Sequence, residues 1–148
     1  MTKRFPLFID LVGKSVIIVG GGKIALRRIE VLIEFGADIT VISPDSDDLP
    51  NGIRHIQRKY CSGDLEGACI AVAATNDRGV NHMVWQEAAD RSIPISVADC
   101  REECTFFFPA ICMGDSLVVG VVSDGTNHHR TSKAAKEIRQ MLSRENLL

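Results

Sequence analysis

Residues 16–25 read VIIVGGGKIA. Four β-branched residues without polar alternation describe a strand buried on both faces, as in a parallel sheet. A crossover helix must follow. Ala25, Ile29, Leu32 and Ile33 recur at helical spacing, Arg27, Arg28, Glu30 and Glu34 fill the other face, and Gly36 supplies the stop. The three glycines at 20–22 therefore sit between a strand and a helix.

The same alternation continues downstream. Ile39–Ile42 is a second apolar strand, ended by Ser43-Pro44-Asp45, and the polar stretch to Gly52 is loop. Ile53–Gln57 is a weaker strand and Ile70–Ala74 a stronger one. The pattern predicts a helix over Gly79–Arg91, with Val80, Met83, Val84 and Ala88 on its apolar side, and a strand over Ile95–Ala98 entered through Pro94. Strand, helix, strand at this interval predicts an α/β fold, a Rossmann-like doubly wound parallel sheet with its ligand crevice at the carboxyl ends of the strands.

After Phe108-Pro109 the pattern changes. Leu117–Val122 is a strand, Asp124-Gly125 a turn, and Ser132–Leu142 a helix with Ala134, Ala135, Ile138, Met141 and Leu142 on its apolar side. The reading divides the chain into a sheet domain, 1–113, and a small strand-helix segment, 114–148. That segment is too small to bury its own core, so it packs on the domain or pairs with a second copy of the chain.

A chain of 148 residues with 45% apolar content suits one globular domain and a short appendage. Seventeen basic and nineteen acidic side chains give a net charge of −2, so no global field attracts nucleic acid or an anionic membrane. Any anion must be held by local groups. The longest apolar runs, such as ACIAVAA at 68–74, are too short to span a bilayer, and the start MTKRFPLFIDL lacks a cleavage pattern, so the expected location is the cytosol. Five irregularly spaced cysteines fit reduced thiols in that compartment.

Gly20-Gly21-Gly22-Lys23-Ile24-Ala25 matches the dinucleotide fingerprint G-x-G-x-x-G/A in the position the fingerprint requires. Gly20 allows the tight turn, Gly22 lets backbone amides approach a pyrophosphate, and Ala25 permits close packing of helix on strand. The helix N-terminus offers the anion roughly half a positive charge. The alternative is a flexible turn without ligand. A dinucleotide site also shows an acidic residue about 20 residues on, which binds the ribose. Here the second strand ends in Ser43-Pro44-Asp45: Ser43 can bond a ribose hydroxyl, and Asp45 either reaches it or shapes the turn. No arginine stands there for a 2′-phosphate, which favours NAD.

Together, FPLFIDLVGKSVIIVGGGKIALRR at 5–28, VISPD at 41–45, VAATNDRGVN at 72–81, ISVADCREECTFFFPAI at 95–111 and SLVVGVVSDG at 116–125 resemble the precorrin-2 dehydrogenase family, the dehydrogenase domain of siroheme synthase. The resemblance implies NAD-dependent oxidation of precorrin-2 to sirohydrochlorin by a homodimer whose C-terminal segments interlock. Some members also insert iron to give sirohaem. Members commonly continue into a helical module that these 148 residues do not include, which leaves iron chelation open.

Carried across, the resemblance puts cofactor contacts at Gly22, Lys23 and Ile24, with Gly20 shaping the turn, the adenosine side at Ser43, Pro44 and Asp45, and a crevice lining at Thr75 and Asn76. It makes Asp99 the catalytic residue. Losing a hydride from a tetrapyrrole also releases a proton, and a carboxylate at that strand end can accept it or orient the ring. From the residues alone, Asp99 reads as a turn or cap aspartate.

Arg101, Arg130, Lys133 and Lys136 are candidates for the substrate's carboxylates, with Ser123, Thr126 and Asn127 near the same mouth; each also fits an ordinary surface or turn. Asp124 and Asn127-His128-His129-Arg130 replace a glycine-rich, proline-containing turn of the family, which makes contacts there a departure from the pattern. Cys100, Cys104 and Cys112 with His128 and His129 match no zinc spacing, so they are read as buried thiols and no metal is expected. Phe106–Phe108 reads as a run at a strand, core on one side and interface on the other. The alternative to an enzyme is a non-catalytic module that senses NAD or tetrapyrrole.

Overall fold

The computed structural model describes residues 3–125 and 127–145. The chain forms two compact units, Ile9–Phe106 and the pair of segments Met1–Phe8 with Phe107–Leu148.

The first unit is an α/β domain. Its strands are β1 (Ser15–Val19), β2 (Asp38–Ile42), β3 (Arg54–Ile56), β4 (Ile70–Ala73) and β5 (Ile95–Val97). They form one sheet in the order β3-β2-β1-β4-β5, and all neighbours are parallel. This is the predicted Rossmann-like sheet. The chain runs outward from β1 through β2 and β3, then returns to β4 on the other side of β1, so the direction reverses between β1 and β4. Ligands of open α/β sheets sit at that reversal, beyond the carboxyl ends.

Helix α1 (Lys23–Ile33) joins β1 to β2 and buries Ala25, Ile29 and Leu32, a stripe at i, i+4 and i+7. Ile33, expected on the same stripe, is exposed. Helix α2 (Arg78–Asp90) joins β4 to β5 and packs Val84 and Ala88 with Ile17, Val19, Ala71, Ala73, Ile95 and Val97. Because successive strand side chains alternate faces, Val16 and Ile18 look toward the opposite side. Burial of each such Val or Ile stabilises the fold by about 1.5–3 kcal/mol.

α2 packs Val80, Val84 and Ala88 of its predicted apolar face on the core, but Met83 departs from it. Met83 is exposed, whereas Asn81 and Glu87 are buried. Glu87 earns its place through hydrogen bonds: it accepts from the Tyr60 hydroxyl, from Gly63 N (3.0 Å) and Leu65 N (3.3 Å), and from Arg91 Nε (2.8 Å). Burial pushes this carboxyl up, but Tyr60, the two amides and Arg91 together pull it below the usual carboxylate range. The irregular link from β3 to β4 is thereby stapled to the helix.

After β5 a short 3-10 helix (Arg101–Glu103) leads to Phe106–Phe108. The phenylalanine run is half-buried irregular chain rather than strand. Pro109 follows it, and Thr105 and Phe106 bond back to the Ile95 carbonyl instead of forming a ladder.

The second unit contains an antiparallel hairpin, β6 (Ala110–Met113) and β7 (Val118–Val121), and α3 (His128–Glu145). The sequence reading has no β6, and it starts the helix at Ser132 rather than His128. The buried core here is three residues, Cys112, Ala135 and Leu142, with Ala110, Val119 and Ile138 partly buried around them. Arg4 crosses from the leading segment onto the Phe107 ring (3.7 Å to its centre) and donates to the Ser123 carbonyl at 3.0 Å. Among the described residues, no helix is long and apolar enough to cross a membrane.

Candidate cofactor and catalytic site

The glycine turn begins where β1 ends. Gly20 has φ +120° and donates its N–H to the Ile42 carbonyl at 2.9 Å. A Cβ built on it would stand 2.3 Å from the Ala74 carbonyl oxygen, so both conformation and space require glycine. Gly21 is equally confined, since its Cβ would meet the Asp45 carbonyl oxygen at 2.3 Å. Gly22 differs. Its Cβ would point into open space, and its φ of −88° suits any residue.

Gly22 is also the N-cap of α1, without a side-chain cap and with no acidic residue in the first turn. The first helical bond runs from Leu26 N to the Gly22 carbonyl at 3.0 Å. The amides of Lys23, Ile24 and Ala25 therefore have no intrahelical acceptor. Three orphan N–H groups beside an open approach and a positive helix end suit a diphosphate. Here the residues present fit a dinucleotide cofactor.

The end of β2 closes the other side of the turn. Ser43 is buried, and its Oγ lies 3.1 Å from His55 Nε2, which also lies 3.0 Å from the Ser43 carbonyl oxygen. A carbonyl can only accept, so Nε2 carries the proton and donates to it. Asp47 N bonds the Gly21 carbonyl at 2.8 Å, fastening this loop to the glycine turn. Pro44 and Asp45 are exposed beside it.

Beyond β4, Thr75 is fixed by the fully buried Asn81 of α2. Asn81 Oδ1 accepts from Thr75 N (3.0 Å) and Thr75 Oγ1 (2.7 Å), while Asn81 Nδ2 donates to the Thr75 carbonyl (3.1 Å). Asn76, next along, is exposed. Thr75 thus lies against Gly20 at the carboxyl end of the sheet, and Asn81 is the side chain that fixes it.

Asp99 lies in the turn after β5, on the same carboxyl edge, where Ala98 N bonds the Ala73 carbonyl at 2.9 Å. Its side chain is 37% exposed and its Oδ1 accepts from Arg78 Nη1 at 2.6 Å. The same guanidinium donates Nη2 to Glu103, whose other oxygen is 2.6 Å from His82 Nδ1. Burial pushes the Glu103 carboxyl up, but His82 and Arg78 hold it below the usual carboxylate range. His82 packs in turn on Trp85, with ring centres 5.1 Å apart. The sequence reading singles out none of Arg78, His82 or Glu103.

Arg101 is exposed, two residues past Asp99. Ser123, Asn127 and Arg130 belong to the second unit. Ser123 Oγ accepts from Gly125 N (3.2 Å), and Asn127 Oδ1 accepts from Arg130 N (3.1 Å), capping α3. Thr126 lies outside the described residues. All five cysteines are free thiols; Cys104 and Cys112 donate to the Val97 and Ala135 carbonyls, each at 3.3 Å. No cluster of three metal-ligating side chains occurs among the described residues.

A parallel sheet with a glycine turn at its point of reversal, and orphan amides opening onto it, defines a dinucleotide-binding α/β protein. Residues 7–110 match the family described as "Putative NAD(P)-binding", and the chain belongs to that family. Its cofactor is accordingly a nicotinamide dinucleotide. The "Probable multifunctional siroheme biosynthesis protein HemA" of Ruminiclostridium josui is 46% identical over 145 residues, covering 93% of this chain. The siroheme synthase of Methylobacillus flagellatus is 40% identical over 130 residues, covering 84%. The chain spans 28% of the length of each of these two relatives. Among solved structures, SirC, a precorrin-2 dehydrogenase, superposes with a TM-score of 0.76 at 28% identity, covering 93% of this chain and 70% of that one.

Proposed function

We propose that this chain is an NAD-dependent precorrin-2 dehydrogenase that oxidises precorrin-2 to sirohydrochlorin in the cytosol. The observation that carries the reading is its likeness to SirC, a precorrin-2 dehydrogenase, over 93% of the chain in both fold and sequence. The oxidation removes two electrons and two hydrogens, one leaving as hydride and one as a proton. Bound NAD supplies the hydride acceptor. The remaining work falls to the chain's own residues.

In this reading the amides of Lys23, Ile24 and Ala25 hold the pyrophosphate, Gly20 shapes the turn, and Gly22 leaves room for the approach. Ser43, Pro44 and Asp45 flank the adenosine, and Thr75 and Asn76 line the crevice. Asp99 accepts the proton through Oδ2 or holds a pyrrole N–H with it. Arg101 and Arg130 are exposed cations suited to the macrocycle's carboxylates, and Ser123, Thr126 and Asn127 are further candidates for substrate contacts.

The active form is a homodimer joined through residues 114–148 and the neighbouring hairpin. Exposed apolar side chains support this: Met113, Leu117, Val118, Val122 and Met141 are all at least two-fifths accessible. Met113 and Val118 face each other across the hairpin on the side turned from Cys112 and Val119. Purified protein incubated with precorrin-2 and NAD is expected to give sirohydrochlorin absorbance and equimolar NADH from a species of dimeric mass. A folded dimer that binds NAD and yields no product contradicts the reading.

A further inference from the structure

Arg78 is the first residue of α2, where the helix dipole disfavours a cation. The N-terminus is already capped without it, since Asp77 Oδ1 accepts from Gly79 N (2.8 Å) and Val80 N (3.2 Å). Arg78 instead reaches the segment after β5 and bridges two carboxylates, Asp99 and Glu103. Glu103, with a side chain only 13% exposed, is also gripped by His82, four residues along the same helix face. The guanidinium fork is planar, so fixing one arm on Glu103 sets the direction of the other. Asp99 Oδ2 has no hydrogen-bond partner among the described residues.

We infer that Arg78 is the positioning residue for Asp99: Glu103 and His82 hold the guanidinium, and the guanidinium holds the carboxylate by one oxygen so that the other is presented to the substrate. This inference rests on the dehydrogenase reading above. Arg78 acts through Asp99 and does not itself touch the macrocycle.

The test is steady-state kinetics of wild type, Arg78→Lys, Arg78→Met, Asp99→Ala and the Arg78→Met/Asp99→Ala double variant, with folding checked by circular dichroism and NAD affinity by calorimetry. Arg78→Met is expected to lower kcat about 10–100-fold, the cost of a misplaced catalytic group, while KM for precorrin-2 and NAD affinity stay within about twofold. Arg78→Lys should fall between it and wild type, and serves if the methionine variant does not fold. The double variant should be no slower than Asp99→Ala alone. Unchanged kcat in Arg78→Met, a rise confined to KM, or independent multiplication of the two losses overturns the inference while wild-type turnover leaves the dehydrogenase reading standing. Absence of turnover in wild type removes both.

Discussion

The Cβ that any other residue would carry at position 20 falls 2.3 Å from the carbonyl oxygen of Ala74. The glycine turn and the end of β4 are therefore in direct backbone contact at the point where the sheet reverses. Gly20 is needed to build the turn, whereas two residues later Gly22 meets nothing. The two glycines of one motif therefore differ: the fold requires the first and leaves open space at the second.

Their substitutions should divide accordingly. Gly20→Ala forces a clash with backbone at a φ of +120° and should destabilise the domain by about 2–4 kcal/mol, seen as a lower denaturation midpoint. Gly22→Ala should change stability by less than about 1 kcal/mol, the gain from a stiffer unfolded chain offset by a poorer N-cap, yet weaken NAD binding at least about tenfold by calorimetry.

Glu87 should control acid stability. Its carboxyl sits below the usual range in the folded chain, so its contribution is complete above about pH 4.3 and fades as pH falls through the lowered value. Glu87→Gln keeps an acceptor for Tyr60 but loses the charge that Arg91 meets. Urea denaturation at pH 7 should show a loss of about 1–3 kcal/mol, and the gap to wild type should narrow toward pH 3.

Asn127 should behave as a helix cap. Asn127→Ala removes the acceptor for Arg130 N and should cost about 1 kcal/mol of stability, while Asn127→Ser retains most of it. Thermal unfolding of the two variants side by side checks this.

The sheet was legible because β1, β2 and β4 carry the runs VIIV, ITVI and IAVA, β-branched or small residues buried on both faces with no polar alternation. β6 was not, because Ala-Ile-Cys-Met is short, half-exposed and preceded by a proline. The first turn of α3 was hidden because His128 and His129 are weak helix formers and the Arg130 cation at a helix start opposes its dipole; the signal that could have placed it was Asn127, a favoured cap. At the candidate site, Gly20 to Ala25 announces itself through local spacing. Arg78 and Glu103 are 25 positions apart, and no local spacing links them until the sheet brings α2 beside the end of β5. An arginine just after a capping aspartate was the one local irregularity that pointed to it.

The central claim is that the glycine turn holds NAD, the hydride acceptor, while Asp99 takes the proton or holds the macrocycle in place. A single measurement tests it most directly: stopped-flow mixing of precorrin-2 with NAD-loaded wild type and with NAD-loaded Asp99→Ala. The account predicts sirohydrochlorin and NADH appearing together in wild type and both forming many-fold more slowly in the variant, at equal NAD occupancy. Equal rates of NADH formation in the two proteins would contradict it.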